Sequence, residues 1–111
     1  MQSPKAILPK ELALLLSSRT PPLVIDLRKD ADYTSDPRLL PGAVKRNIAE
    51  IDSWGMTLPR DRSIVVYCQQ GKSVGTAAVE VLRNQGLVAR QIEGGFSAWR
   101  EAGLPLGGTQ S

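Results

Sequence analysis

The run Ser63-Ile64-Val65-Val66-Tyr67 constrains this chain more than any other stretch. It is short, rich in β-branched residues and bounded by polar ones, as a strand should be. Close behind it, between Lys72 and Asn84, the apolar residues Val74, Ala77, Ala78, Val81 and Leu82 recur at helical spacing. They predict one face of an amphipathic helix, stopped by Gly86. Val88 to Ile92 then reads as another short strand. Strand, helix and strand in succession argue for an α/β sandwich around a mainly parallel sheet.

The rest of the chain continues the alternation. Pro9 to Ser17 predicts a short helix with Pro in its first turn. Leu23-Val24-Ile25-Asp26-Leu27 follows Pro21-Pro22 and reads as a buried strand interrupted only by Asp26. Residues 29–42 are polar and read as irregular, ending in the turn signal Pro41-Gly42. Ala43-Val44 can begin a short strand, and Ile48 to Trp54 one or two helical turns. Gly94-Gly95 is a turn, and Phe96 to Ala102 a short helix closed by Gly103. Phe96 and Trp99 read as core residues, and Trp54, among polar neighbours, as partly buried. At 111 residues the chain makes one domain, expected over residues 1–106, with 107–111 a flexible tail.

Composition removes several function classes. The chain is 41% hydrophobic and 23% charged, the balance of an ordinary globular domain. Its charge of +3 comes from 14 basic and 11 acidic residues without any basic run, so neither a nucleic-acid nor a membrane partner is expected. No apolar stretch approaches the roughly 20 residues of a membrane span, and the N-terminus lacks a signal-peptide pattern. A single cysteine forbids an internal disulfide, and a cytoplasmic location is the expectation. There is no histidine. Cys-His and Ser-His-Asp catalysis are thereby excluded, and no metal or other cofactor is expected.

Candidate chemistry therefore converges on Cys68-Gln69-Gln70-Gly71-Lys72-Ser73-Val74. Gly71-Lys72-Ser73 has the ending of a phosphate loop, but the first glycine such a loop needs would fall at Val66, inside the strand. A Cys-x5-Arg phosphatase loop would need Arg at position 74, where Val74 stands. What remains is a cysteine at the end of a strand, followed by a tight loop and a helix N-terminus. In α/β sheets, sites form at the carboxyl ends of strands. Loop amides can converge on an anion, the helix end adds unpaired N–H donors, and Lys72 adds a cation. Thiols in such surroundings ionise more readily than free ones. The competing reading is an inert buried thiol. Asp26 and Arg28 end the preceding strand. A structural ion pair is the leading reading for them, and direct substrate contact the alternative.

Taken together, these segments resemble the rhodanese domain. Leu23-Val24-Ile25-Asp26-Leu27-Arg28 is similar to the family's apolar strand ending in Asp-x-Arg. Leu40-Pro41-Gly42-Ala43 is similar to its His-Ile-Pro-Gly-Ala segment, with Leu39 where His is common. Ile64 to Gly71 resembles its catalytic strand and loop, and Glu93-Gly94-Gly95-Phe96-Ser97-Ala98-Trp99 with Ala102-Gly103-Leu104-Pro105 its C-terminal signature. The resemblance implies a three-layer sandwich with about five strands, and a sulfurtransferase. Cys68 would take sulfane sulfur from thiosulfate or a persulfide, with Gln69, Gln70, Gly71, Lys72, Ser73 and Val74 binding the substrate and Asp26 and Arg28 in support. The sulfur would pass to a thiophilic acceptor: cyanide in vitro, a thiol or a sulfur-relay protein in the cell. Active members commonly carry a basic residue where this chain has Ser73, and often another where it has Gln69. That departure implies weak thiosulfate binding and a better fit for a less charged donor. It also sustains the alternative of a non-catalytic, protein-binding module.

Overall fold

A computed structural model describes residues 4–107. Five parallel strands form one sheet in the order β1-β5-β4-β2-β3. They are β1 (Ala6–Ile7), β2 (Leu23–Asp26), β3 (Val44–Lys45), β4 (Ser63–Tyr67) and β5 (Val88–Ile92). The helices are α1 (Pro9–Leu16), α2 (Asp30–Ser35), α3 (Ile51–Gly55, entered by a 3-10 turn at Ile48–Glu50), α4 (Ser73–Asn84) and α5 (Gly95–Glu101).

The expected strands and the α4 helix are present, and β4 sits at the centre, between β2 and β5. Its burial follows from its sequence. Ile64, Val65, Val66 and Tyr67 are each fully buried, and successive side chains go to opposite faces. Val65 and Tyr67 join Val24, Ile92, Leu12 of α1 and Phe96 and Trp99 of α5 in one apolar layer. Ile64 and Val66 join Ile25, Ala89, Trp54 of α3 and Ala78, Val79 and Leu82 of α4 in the other. Two cores on two faces of one sheet make the three-layer arrangement.

The structure departs from expectation at five points. Segment 29–42 is not wholly irregular, because α2 forms within it; that helix buries no residue, so it left no apolar periodicity to read. Strand β1 is two residues long and was not anticipated. In α4 the buried residues are Gly75, Ala78, Val79 and Leu82, whereas Ala77 is exposed. The packed stripe is thus rotated from the expected one, since Gly75 and not a larger residue lies against Gln91 of β5. Trp54 is only 8% exposed, because its indole N–H donates to the Asn47 carbonyl (2.8 Å) and its rings join the α3–α4 layer. At the C-terminus the Gly107 N–H donates to the Leu39 carbonyl (2.7 Å), so this residue is tied to the domain. The rest of the expected tail, 108–111, lies outside the described residues.

Candidate active site

Cys68 directly follows β4, at the carboxyl edge of the sheet. The loop after it is held by backbone contacts with the β5–α5 turn. The amides of Phe96 and Ser97, at the start of α5, donate to the carbonyls of Cys68 (2.9 Å) and Gln69 (3.0 Å). Those amides need acceptors outside their own helix, so one helix end fixes the loop that carries the thiol. Two glycines make the approach possible. Gly71 has φ +69, and a Cβ there would lie 2.6 Å from the Gly94 amide nitrogen and 2.9 Å from the Ile92 carbonyl oxygen. Gly95 has φ +62, and a Cβ there would lie 2.5 Å from the Cys68 carbonyl oxygen. Both positions require the left-handed backbone and the missing side chain.

Beside Cys68 is an open cavity of about 320 Å³. Cys68, Gln69, Gln70, Lys72, Ser73 and Val74 line one side of it, and Leu27, Lys29 and Asp32 the other. The structure thus brings together all the expected loop residues except Gly71, which shapes the loop from behind. The N-terminus of α4 abuts the cavity. The first amides of a helix lack intrahelical acceptors, and Lys72 at the N-cap offers them no side-chain acceptor. Two lysines and one aspartate give the cavity a small positive excess. Neither the Lys29 nor the Lys72 ammonium has an ion-pair partner among the described residues. The Gln69 side-chain amide donates to Ser97 Oγ (3.3 Å), while its Oε1 is buried without a partner.

Lys29 and Asp32 were missed by sequence reasoning. They reach the cavity because α2 stands across from the Cys68 loop, and α2 itself was not legible. Asp32 sits within a first turn that no capping side chain marks.

Neither Asp26 nor Arg28 lines the cavity beside Cys68. Asp26 is fully buried and Arg28 2% exposed. The Asp26 carboxylate accepts from the Arg28 backbone N–H (2.7 Å), Arg28 Nε (2.9 Å) and the Tyr67 hydroxyl (2.9 Å). The remaining guanidinium nitrogens donate to the carbonyls of Asp36 (2.8 Å) and Arg38 (2.9 Å). Arg28 Cζ lies 3.9 Å from the centre of the Phe96 ring. Every polar group of this buried pair is engaged, which is what burial demands. The pair therefore takes the structural role, and it braces Tyr67 and Phe96, whose backbones flank and hold Cys68. Burial first, then the Asp26 carboxylate, pushes the Tyr67 phenol far above its ordinary range, so it remains a donor. Asp36, bound by Arg38 (2.8 Å) and Arg100 (3.0 Å), is held well below the usual carboxylate range, chiefly by the Arg38 hydrogen bond.

Comparison with known proteins agrees with this geometry. A family model for the Rhodanese-like domain matches residues 8–102. A sulfurtransferase of Allochromatium vinosum is 29% identical over 85 residues, covering 76% of this chain and 77% of that protein. An HTH-type transcriptional regulator of Mycobacterium tuberculosis is 33% identical over 84 residues, and a tRNA sulfurtransferase of Desulfurococcus amylolyticus 33% over 82 residues. The matches cover 75% and 74% of this chain but only 36% and 15% of those two longer proteins. Among solved structures, a rhodanese-related protein from Thermoplasma volcanium superposes with a TM-score of 0.79 at 26% identity, covering 92% of this chain and 96% of that one. A rhodanese-like domain protein from Staphylococcus aureus superposes with a TM-score of 0.79 at 25% identity, covering 96% and 99%. Matched over residues 8–102 by that family model, this chain belongs to the rhodanese-like domain family.

Proposed function

We propose that this chain is a sulfurtransferase that carries sulfane sulfur on Cys68. The observation that carries the reading is the cavity beside Cys68, bounded by the loop and by the N-terminus of α4. In the first step the Cys68 thiolate attacks the outer sulfur of the donor. A new bond forms between Sγ and that sulfur, and the donor's S–S bond breaks. With thiosulfate the electron pair leaves on sulfite; with a persulfide, R–S–SH, it leaves on the thiolate R–S⁻ while the proton stays with the transferred sulfur. In the second step a thiophilic acceptor attacks the outer sulfur of the persulfide and regenerates the thiolate. Cyanide leaves as thiocyanate, and a thiol or a relay protein takes its place in the cell. This is two-step covalent catalysis in which the charge of donor and persulfide is met by oriented amides.

Gln69, Gln70, Lys72, Ser73 and Val74 bind the donor in this scheme, and Gly71 sets the loop's curve. Asp26 and Arg28 support the loop, their side chains being spent on each other and on the carbonyls of Asp36 and Arg38. No metal or organic cofactor enters either step. Among the described residues no helix is long and apolar enough to cross a membrane, and the reading puts the chemistry in the cytoplasm, where a lone thiol is kept reduced. Low loop charge favours persulfide donors over dianionic thiosulfate.

The test is thiocyanate formation from cyanide with each donor, for the wild type and for Cys68→Ser. Turnover that disappears in the variant supports sulfur transfer. No turnover from either donor would move the assignment to a binding module with the same fold.

A further inference from the structure

A second cavity, of about 250 Å³, adjoins the one beside Cys68. The two share Leu27, Lys29 and Val74 in their walls, so they lie side by side, with these three residues at their border. The first alone reaches the lower bound for sites that take drug-sized organic ligands, roughly 300 Å³, and the two together sit well inside that range. Thiosulfate is far too small to occupy both.

The chemistry of the far end is distinctive. Arg46, Asn47 and Lys29 line it, with Arg28, whose guanidinium is held by Asp26, also in its wall. Arg46 Nη1 donates to the Lys45 carbonyl (3.1 Å), and a guanidinium carries five donors in all. Lys45 belongs to the same wall but is engaged, donating to the Arg28 carbonyl (2.7 Å) and lying 4.0 Å from Asp30 Oδ1. The cationic groups facing outward are thus Lys29 and Arg46. Asp30 at the far end and Asp32 at the near end supply two carboxylates. Two adjoining cavities, one with the thiol and one with a guanidinium, and with both signs of charge in their walls, match an extended zwitterion laid across their border.

We infer that the second cavity is a subsite for the carboxylate tail of an organic persulfide donor, peptide-like in size, with Arg46 its principal anchor and Lys29 the cation shared with the reacting end. The inference rests on the sulfurtransferase reading above. It gives that reading a substrate class: a low-molecular-weight thiol persulfide that bears a carboxylate several bonds from its sulfur. The low charge of the Cys68 loop then follows, because the donor's charge is recognised away from the sulfur.

The test compares kcat/KM for glutathione persulfide, its dimethyl ester and thiosulfate, in the wild type and in Arg46→Ala. Arg46 is exposed, and thermal melts check that the variant is folded. The ratio of glutathione persulfide to thiosulfate efficiency is expected to fall about fivefold in Arg46→Ala, the effect of one exposed charged contact. Esterifying the donor is expected to cost the wild type a similar factor and the variant much less. An unchanged ratio, or an ester used by the wild type as well as the free acid, would overturn the subsite while leaving Cys68 chemistry intact. A wild type that takes sulfur from none of the donors would bring down the sulfurtransferase reading and the subsite together.

Discussion

Replacing Arg28 by Met deletes a buried guanidinium while keeping an unbranched side chain that can fill its channel. The Asp26 carboxylate, fully buried, would then keep only the backbone N–H of residue 28 (2.7 Å) and the Tyr67 hydroxyl (2.9 Å). It would lose contacts at 2.9 and 2.8 Å to its counter-ion. Removing one member of a buried ion pair costs about 3–5 kcal/mol. The stranded carbonyls of Asp36 and Arg38 and the lost stacking on Phe96 act in the same direction, but such losses overlap and do not add. We expect a loss of about 4 kcal/mol, against a total of about 5–15 kcal/mol for a domain of this kind. In urea the unfolding midpoint should fall by roughly 2 M at an unchanged slope. The decisive comparison is the double variant Asp26→Asn/Arg28→Met. It removes the stranded charge, and its amide oxygen can still accept the residue 28 N–H, so it should recover about half of the loss. A single variant that loses less than about 1 kcal/mol, or a double variant no more stable than the single, would refute the argument that this pair braces the loop.

Three further outcomes follow from the same geometry. Gly71→Ala should abolish sulfur transfer while leaving the domain folded, because the new methyl meets the Gly94 amide and the Ile92 carbonyl, both backbone, at a positive φ; wild-type activity would show that the loop yields freely. Ser73→Arg should lower the KM for thiosulfate about tenfold by adding a cation beside the cavity, and should cost about 0.3–1 kcal/mol because a cation opposes the α4 dipole; an unchanged KM would mean that cavity charge does not limit donor binding. Asp36→Asn should lower Tm at pH 7. The carboxyl of Asp36 is depressed in the folded state, so its contribution is complete above the ordinary carboxylate pKa of about 4 and fades as pH falls toward the lowered folded value. The Tm gap between wild type and variant should close on acidification, and a gap independent of pH would contradict this.

What was legible in the sequence was what burial writes into it. The β4 run is apolar on both faces because helices cover both, so Ile64 to Tyr67 announced a central strand. Cys68 and its loop could be placed because a strand end, Gly71 and an amphipathic helix succeed one another without a gap. What was not legible lacked such a signal. Helix α2 buries nothing, so Lys29 and Asp32 could not be set opposite Cys68 from the sequence. The two residues of β1 are too few to show a period. Trp54 looked half-exposed beside Asp52 and Ser53, and it is a hydrogen bond from its indole to Asn47 that turns it inward. The second cavity joins segments near positions 28, 46 and 74, a contact set by the β2–β3 pairing and by the start of α4. A pairing of Asp26 with Arg28 could be read from their spacing, but the stacking of Arg28 on Phe96 could not.

The central claim is that Cys68 is a sulfur carrier. Intact mass of the wild type and of Cys68→Ser, after incubation with thiosulfate or glutathione persulfide and again after cyanide, tests it most directly. The account predicts the gain of one sulfur atom by the wild type alone, larger with glutathione persulfide, and its loss to cyanide. A wild type whose mass is unchanged by either donor would contradict it.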